Sequence, residues 1–380
     1  MSYRIFQMCK RCVMDTTDPD IIFDEQGICN HCKDFDIKFA KLPKTSFQES
    51  TFFQDSIKEI KDSTRGKDYN CILGLSGGTD SSFLAYLCKE SGLKPLVVHF
   101  DNGWNTEFAI RNIENLVNKL NFELYTYVIN WEEFKDLQLS YFRASVIDLE
   151  VPTDHLIFGA LFKIAKKYKI HNILSGYNLT SEGTMPKAWL YEYKFDRANM
   201  KDIHKKFGTG KMSHLPTLGL WERTMYQKFY RFKQYHLLQT FYYDKIQAKK
   251  LLTEKFDWKD YGGKHFESVF TRFYQGYFLP QKFGIDKRKA HLSTLICAGQ
   301  MTREDALAEL QHPPYDPQLQ KDDIEYVCKK WGISREEFDE IMKAPVRQHS
   351  EFHEELELEK KLHKLIQYVK PLIPSKLRNA

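Results

Sequence analysis

The 380-residue sequence has no apolar run long enough to cross a membrane. Its longest runs, such as LIFGALF from Leu156 to Phe162, fall well short of the ~18 residues that a span requires. The opening MSYRIFQMCKRC lacks the apolar core of a secretory signal. A strong charge imbalance is missing too: 56 basic against 51 acidic residues leave +5. That balance tolerates an anionic small substrate and does not call for a nucleic-acid partner. No internal repeat interrupts the chain. These absences predict a cytoplasmic, enzyme-like protein with neither membrane nor nucleic acid as its partner. At 42% apolar and 28% charged residues the composition is that of an ordinary globular chain. The length allows two domains, and the 14% aromatic share predicts a well-filled core.

Eight cysteines in such a chain point to metal or chemistry more than to a disulfide framework. Four of them, Cys9, Cys12, Cys29 and Cys32, form two C-x-x-C knuckles at the spacing of a tetrahedral zinc site. A closed shell of four thiolates leaves no position for substrate or water. The expected zinc is therefore structural, folding the N-terminus, and His31 is not needed as a ligand.

Residues 33–70 are charged and weakly amphipathic, with a break at Pro43, and predict a helical connector. From Cys71 strands alternate with helices. CILGL, PLVVHF, FELYTYVI and NIL are the expected strands, with helices after SGGTDSS, over about 106–120, and from about Thr153 to Tyr168. That order predicts a doubly wound parallel sheet. Beyond about Leu215 the texture turns helical, including capped stretches after Thr302 and Ser334. The expected division is a cysteine module over 1–45, an α/β domain over 46–215 and a helical domain over 216–380. EFHEELELEKKLHKL near the end reads as a solvated helix face.

One more absence carries weight. The glycine loop SGGTDSS, Ser76 to Ser82, lacks the lysine with which a Walker A loop reaches the β and γ phosphates. GTGKMS further on does not supply the pattern and reads as a turn. Even so, Gly77 and Gly78 allow backbone N–H groups to approach an anion at a helix start. Ser76, Thr79, Ser81 and Ser82 add hydroxyls, and Asp80 suits a magnesium ion accompanying phosphates.

LSGGTDSS between strand and helix resembles the SGGxDS loop of the ATP pyrophosphatase (PP-loop) superfamily, which includes asparagine synthetase and tRNA-thiolating enzymes. The resemblance implies that the loop binds pyrophosphate and that ATP is cleaved between its α and β phosphates. Ser76, Gly77, Gly78, Asp80, Ser81 and Ser82 match that loop, and Asp101 falls where the family holds the nucleoside. CKRCVMDTTDPDIIFDEQGICNHC, FDNGWN and FGIDKRKAHLS together resemble the N-acetyl sugar amidotransferases of surface-polysaccharide and nonulosonate pathways. That likeness runs from Cys9 to about Leu310. It implies adenylylation of a sugar N-acetyl oxygen by ATP with magnesium, displacement of AMP by ammonia from a separate glutaminase subunit, and an acetamidino sugar as product.

SGYNLTSEG follows a strand end, which makes Gly176, Asn178 and Glu182 candidates to hold the cofactor or line the reacting amide; an ordinary loop is the alternative. Lys264 with His265, and Lys287, Arg288 and His291, are candidates to stabilise pyrophosphate or a nucleotide-sugar diphosphate. Asp80, Ser81, Lys264 and Arg288 form the expected catalytic set. Asp154 and His155 sit at an expected helix start, where Asp154 suits a cap. Two rivals stay open: a tRNA-thiolating enzyme, and a nucleotide-binding partner subunit without catalysis. Thiolation needs cysteines near ATP. Cys71 and Cys88 fall in core elements, and Cys297 and Cys328 stand alone.

Overall fold

The computed structural model describes residues 5–228, 230–260 and 266–355. Lys264, His265 and most of the charged C-terminal stretch lie outside the described residues.

The apolar runs become strands because both faces of the sheet are covered. β1 (Cys71–Gly74), β2 (Pro95–Asp101), β3 (Glu123–Val128), β4 (Asn172–Leu174) and β5 (Lys233–Tyr235) form one five-stranded sheet in the order β3-β2-β1-β4-β5. Every pairing is parallel, with Cys71 opposite Pro95 and Ile72 opposite Ile173. The helices, in chain order, are α1 (Asn30–Phe39), α2 (Thr51–Asp62), α3 (Thr79–Glu90), α4 (Glu107–Leu120), α5 (Trp131–Ala144), α6 (Val151–Lys167), α7 (Leu179–Glu182), α8 (Arg197–Phe207) and α9 (Leu220–Lys228). They continue as α10 (Lys245–Phe256), α11 (Val269–Phe273), α12 (Arg288–Cys297), α13 (Arg303–Leu310), α14 (Pro317–Trp331) and α15 (Arg335–Lys343). A π-helical stretch, Tyr274–Phe283, extends α11 and contains Pro280; its wider winding accommodates a residue that cannot donate to the ladder.

One face of the sheet packs on α2, α3, α4 and α10, around Phe53, Leu84, Leu116 and Leu252. The other packs on α6 through Leu161 and Ile164. A third core joins the cysteine module, α5 and the C-terminal helices around Trp104, Phe142 and Trp331.

Several boundaries differ from expectation. The sheet does not end at 215: β5 and α10 belong to the α/β layers. KQY is three residues long with two of them exposed, too short for a period-2 signal. α6 begins at Val151 because Pro152 fits the first turn, where its missing N–H costs nothing. Asp154 therefore lies inside the helix and pairs with Lys194 at 3.1 Å, so it is not the cap. The Thr302 and Ser334 caps do form, accepting from Asp305 N at 3.1 Å and Glu337 N at 3.1 Å.

Candidate nucleotide cleft and cysteine centre

The strand order reverses between β1 and β4, and the loops leaving both strands meet there, where open α/β sheets take ligands. Gly77 has φ +82°, and a Cβ on it would lie 2.6 Å from the Ala109 carbonyl oxygen. Only glycine fits that backbone. The buried Trp258 Nε1 donates to the Gly77 carbonyl at 2.9 Å. Ser76 Oγ accepts from Gly78 N at 3.3 Å and lies 3.2 Å from Ser81 Oγ. The loop is thus pinned from inside, and Gly78 caps α3, whose first-turn N–H groups have no intrahelical partner. Gly176 brings the β4 loop alongside, where a Cβ added to it would lie 3.5 Å from Ser81 N.

Asp80 accepts from Tyr243 Oη at 2.7 Å and Ser181 Oγ at 3.3 Å, and lies 3.7 Å from Lys245 Nζ. Burial, then Asp80, pushes the Tyr243 hydroxyl well above its ordinary pKa, so it stays a donor. A cation does stand beside the loop: Lys245, at the start of α10. No local pattern announces it. The same set does not fit a magnesium ligand as it stands, since the carboxylate already faces an ammonium and two hydroxyl donors.

A cleft of about 590 Å³ opens from the loop. Gly74, Leu75 and Ser76 form one wall, and Glu267, Ser268, Thr271, Gln275, Lys287 and His291 form another. Between them lie the end of β2 and the face of α6. His99 bridges Leu75 O at 3.2 Å and Asn105 Nδ2 at 3.3 Å, and burial pushes its pKa down, leaving a neutral ring. Asp154 and Lys194 also line the cleft. Burial raises the Asp154 carboxyl despite Lys194. Burial would raise Asp148 behind it as well, but Lys194 and then Lys287 hold it at about 2.

The expected site residues divide accordingly. Ser76 lines the cleft, and Gly77, Gly78, Asp80, Ser81 and Gly176 gather around the loop. Ser82 is 0% exposed and Thr79 5%, so their side chains face the core of α3. Asp101 does not line the cleft; its carboxylate accepts from Gly103 N at 2.9 Å in a tight turn, and Asn102 and His99 reach the cleft instead. Asn178 is buried and caps α7, accepting from Ser181 N at 2.9 Å. Glu182 does line the cleft. Arg288 turns away: its guanidinium holds Asp286 at 2.7 Å and the carbonyls of Glu309, His312 and Pro313 at 3.0–3.3 Å. The forked donor set matches this cluster of acceptors, which makes Arg288 a strut in place of the expected catalytic cation. His155 is structural too, taking Leu218 N at 2.9 Å on one nitrogen and meeting Lys194 O at 2.9 Å with the other.

The four N-terminal cysteines converge with all ligand atoms within 4.8 Å of one another and fully buried. Sγ–Sγ separations are 3.7–3.8 Å, the edge of a tetrahedron built on bonds of about 2.3 Å to zinc. Backbone N–H groups of Arg11, Cys12 and Cys29 point at Cys9 Sγ at 3.3–3.5 Å. The donor set fits structural zinc. His31 is occupied elsewhere, 2.6 Å from Asp18. A fifth thiol, Cys297 on α12, lies 3.6 Å from Cys32 Sγ. It is a neighbour that the C-x-x-C spacing cannot reveal. Ser293 of the same helix accepts from Val13 N at 3.2 Å, and Arg303 donates to the carbonyls of Cys9 and Cys12 at 3.1 and 3.2 Å.

Residues 267–366 match the family model described as LPS biosynthesis protein WbpG-like, C-terminal domain. A 71-residue segment is 41% identical to tRNA(Ile)-lysidine synthase of Chlamydia pneumoniae, covering 18% of this chain and 22% of that protein. A 140-residue segment is 25% identical to tRNA-specific 2-thiouridylase MnmA 2 of Fusobacterium nucleatum, covering 35% and 38%. The chain thus spans only about a fifth to two fifths of these curated relatives. Among solved structures, the NH3-dependent NAD synthetase from Campylobacter jejuni overlaps with a TM-score of 0.30 at 16% identity, over 56% of this chain and 94% of that one. The chain therefore joins a four-cysteine module and a parallel α/β unit carrying the SGGTDSS loop to a C-terminal region whose residues 267–366 match the WbpG-like domain model.

Proposed function

We propose that the protein is an ATP-dependent amidotransferase that converts an N-acetyl group of a diacetamido sugar, free or nucleotide-linked, into an acetamidino group. One observation carries this reading: the glycine loop and the WbpG-like domain share a single cleft. A nucleotide held at the loop and a sugar held by the C-terminal wall would meet in it.

An acetamido carbonyl is a poor electrophile and its oxygen a poor leaving group. Attack of that oxygen on the α-phosphate forms a C–O–P bond, breaks the α–β bridge and releases pyrophosphate. Ammonia then adds to the activated carbon, AMP departs with the former carbonyl oxygen, and a proton is lost to leave the amidine. The loop N–H groups would neutralise the pyrophosphate, with Lys245 close behind Asp80. The cleft walls would align the oxygen and keep water from the imidate. Magnesium enters only as companion of the nucleotide's phosphates, and the ammonia would come from a glutaminase subunit.

A tRNA-thiolating reading draws on the likeness to the Fusobacterium nucleatum 2-thiouridylase. Against it, all eight cysteines are buried and none lines the cleft. The test combines the protein with ATP, magnesium, ammonium and a panel of diacetamido sugars, free and nucleotide-linked. AMP release that depends on the sugar, with the sugar's mass falling by the difference between O and NH, is expected. AMP release that needs tRNA and a sulfur donor would overturn the proposal, and nucleotide binding without turnover in either assay would leave a non-catalytic partner.

A further inference from the structure

The cleft wall holds two polar groups for which the described residues supply no partner. Lys287 is 8% exposed and lines the cleft, with its ammonium 4.9 Å from the centre of the Tyr274 ring. Among the described residues it has neither a side-chain hydrogen bond nor an ion pair. The Thr153 hydroxyl, in the same wall, is buried and equally unpartnered.

A buried ammonium with no acid in direct contact is costly, and an aromatic face together with the field of nearby Asp148 recovers only part of the loss. Nearby acids do not cancel it by contact. Asp148 is taken by Lys194 at 2.5 Å, Asp154 by Lys194 at 3.1 Å, and Glu150 by Thr271 at 2.7 Å and Gln275 at 3.3 Å. The backbone at Lys287 is fixed as well, its carbonyl accepting from Ala290 N at 3.1 Å and His291 N at 3.3 Å.

We propose that Lys287 anchors an oxyanion of the sugar substrate, a carboxylate or a phosphate, against the C-terminal wall of the cleft, with Thr153 taking a neighbouring oxygen. This deepens the amidotransferase reading and rests on it for the word sugar. The anion itself follows from the place of the ammonium, buried in the cleft wall with no acid in contact among the described residues. Lys287, from the WbpG-like domain, would then select substrates that carry a negative group beside their acetamido function.

The test uses Lys287→Met and Lys287→Arg in the full chain, with the loop filled by α,β-methylene-ATP. Calorimetry measures binding of a diacetamido hexose, its uronate, and the UDP-linked form of each. Inorganic phosphate, followed by line broadening in phosphorus NMR, serves as a sugar-independent probe. The Met variant should bind the anionic sugars about tenfold or more weakly, the loss expected for one charge-assisted hydrogen bond. The Arg variant should retain most of the affinity. Selective loss on the uronates assigns a carboxylate, and selective loss on the UDP forms assigns the diphosphate.

Unchanged affinity of the Met variant for every anion, phosphate included, overturns the proposal. So does an equal loss of ATP affinity, which would give Lys287 to the nucleotide. Lys287-dependent phosphate binding without binding of any sugar would instead sink the sugar reading and leave the anion site standing.

Discussion

Gly77 shows how a single position commits the loop. Its positive φ costs a side-chain residue about 1–2 kcal/mol, and a Cβ would also meet the Ala109 oxygen at 2.6 Å. Gly77→Ala should therefore abolish nucleotide binding in an equilibrium titration while the melting curve moves by only a few degrees. Asp80→Ala should stop AMP release with the fold intact by circular dichroism; full turnover would remove the loop from the reaction. Arg288→Met should act in the opposite way. It leaves three carbonyls short of a donor, so it should cost about 1–3 kcal/mol of stability without a specific loss of kcat at temperatures where the protein is folded. These contrasts also mark what was legible in the sequence. The loop and the cysteine knuckles are local patterns, and their chemistry is written in consecutive residues. Lys245, Cys297 and the turned-away Arg288 are set by tertiary packing, so no spacing in the chain announces them. Asp101 and Asn178 stood at the right strand ends, but each spends its side chain closing its own turn.

At the scale of elements, α12 carries most of the coupling. His291 on it and Lys287 just before it border the cleft, Ser293 and Cys297 touch the cysteine module, and Arg303 just beyond grips the carbonyls of Cys9 and Cys12. Zinc removal should therefore do more than unfold an appendage. A chelator is expected to lower the thermal midpoint of the whole chain and, before unfolding, to weaken binding at the C-terminal wall of the cleft. A metal-free protein with an unchanged midpoint would refute the structural zinc. The buried Asp148–Lys194 pair ties the start of α6 to the chain before α8. Asp148 has its folded pKa depressed to about 2, below an unfolded value of about 3.9. Its contribution is present above about pH 4 and lost as pH falls toward 2. Denaturant titrations across that window should show this acid loss in wild type and a smaller one in Asp148→Asn, which should also be less stable at neutral pH because Lys194 loses the nearer of its two carboxylates.

For the whole molecule, strand alternation was enough to predict the parallel sheet, because buried parallel strands read as short apolar runs; the strand order and its switch point came from the structure. The extent of the α/β unit was not legible. β5 is too short and too exposed to signal itself, and its membership depends on pairing with β4. The outcome is a chain whose glycine loop and C-terminal region line one cleft, and the proposed reaction turns on which atom of the sugar meets the nucleotide. Labelling the acetamido carbonyl of the accepted sugar with oxygen-18 and weighing the released AMP tests it most directly. The account predicts that the label moves into the AMP phosphate while the sugar gains a nitrogen. Unlabelled AMP, with the label retained on the sugar or found in water, would contradict it.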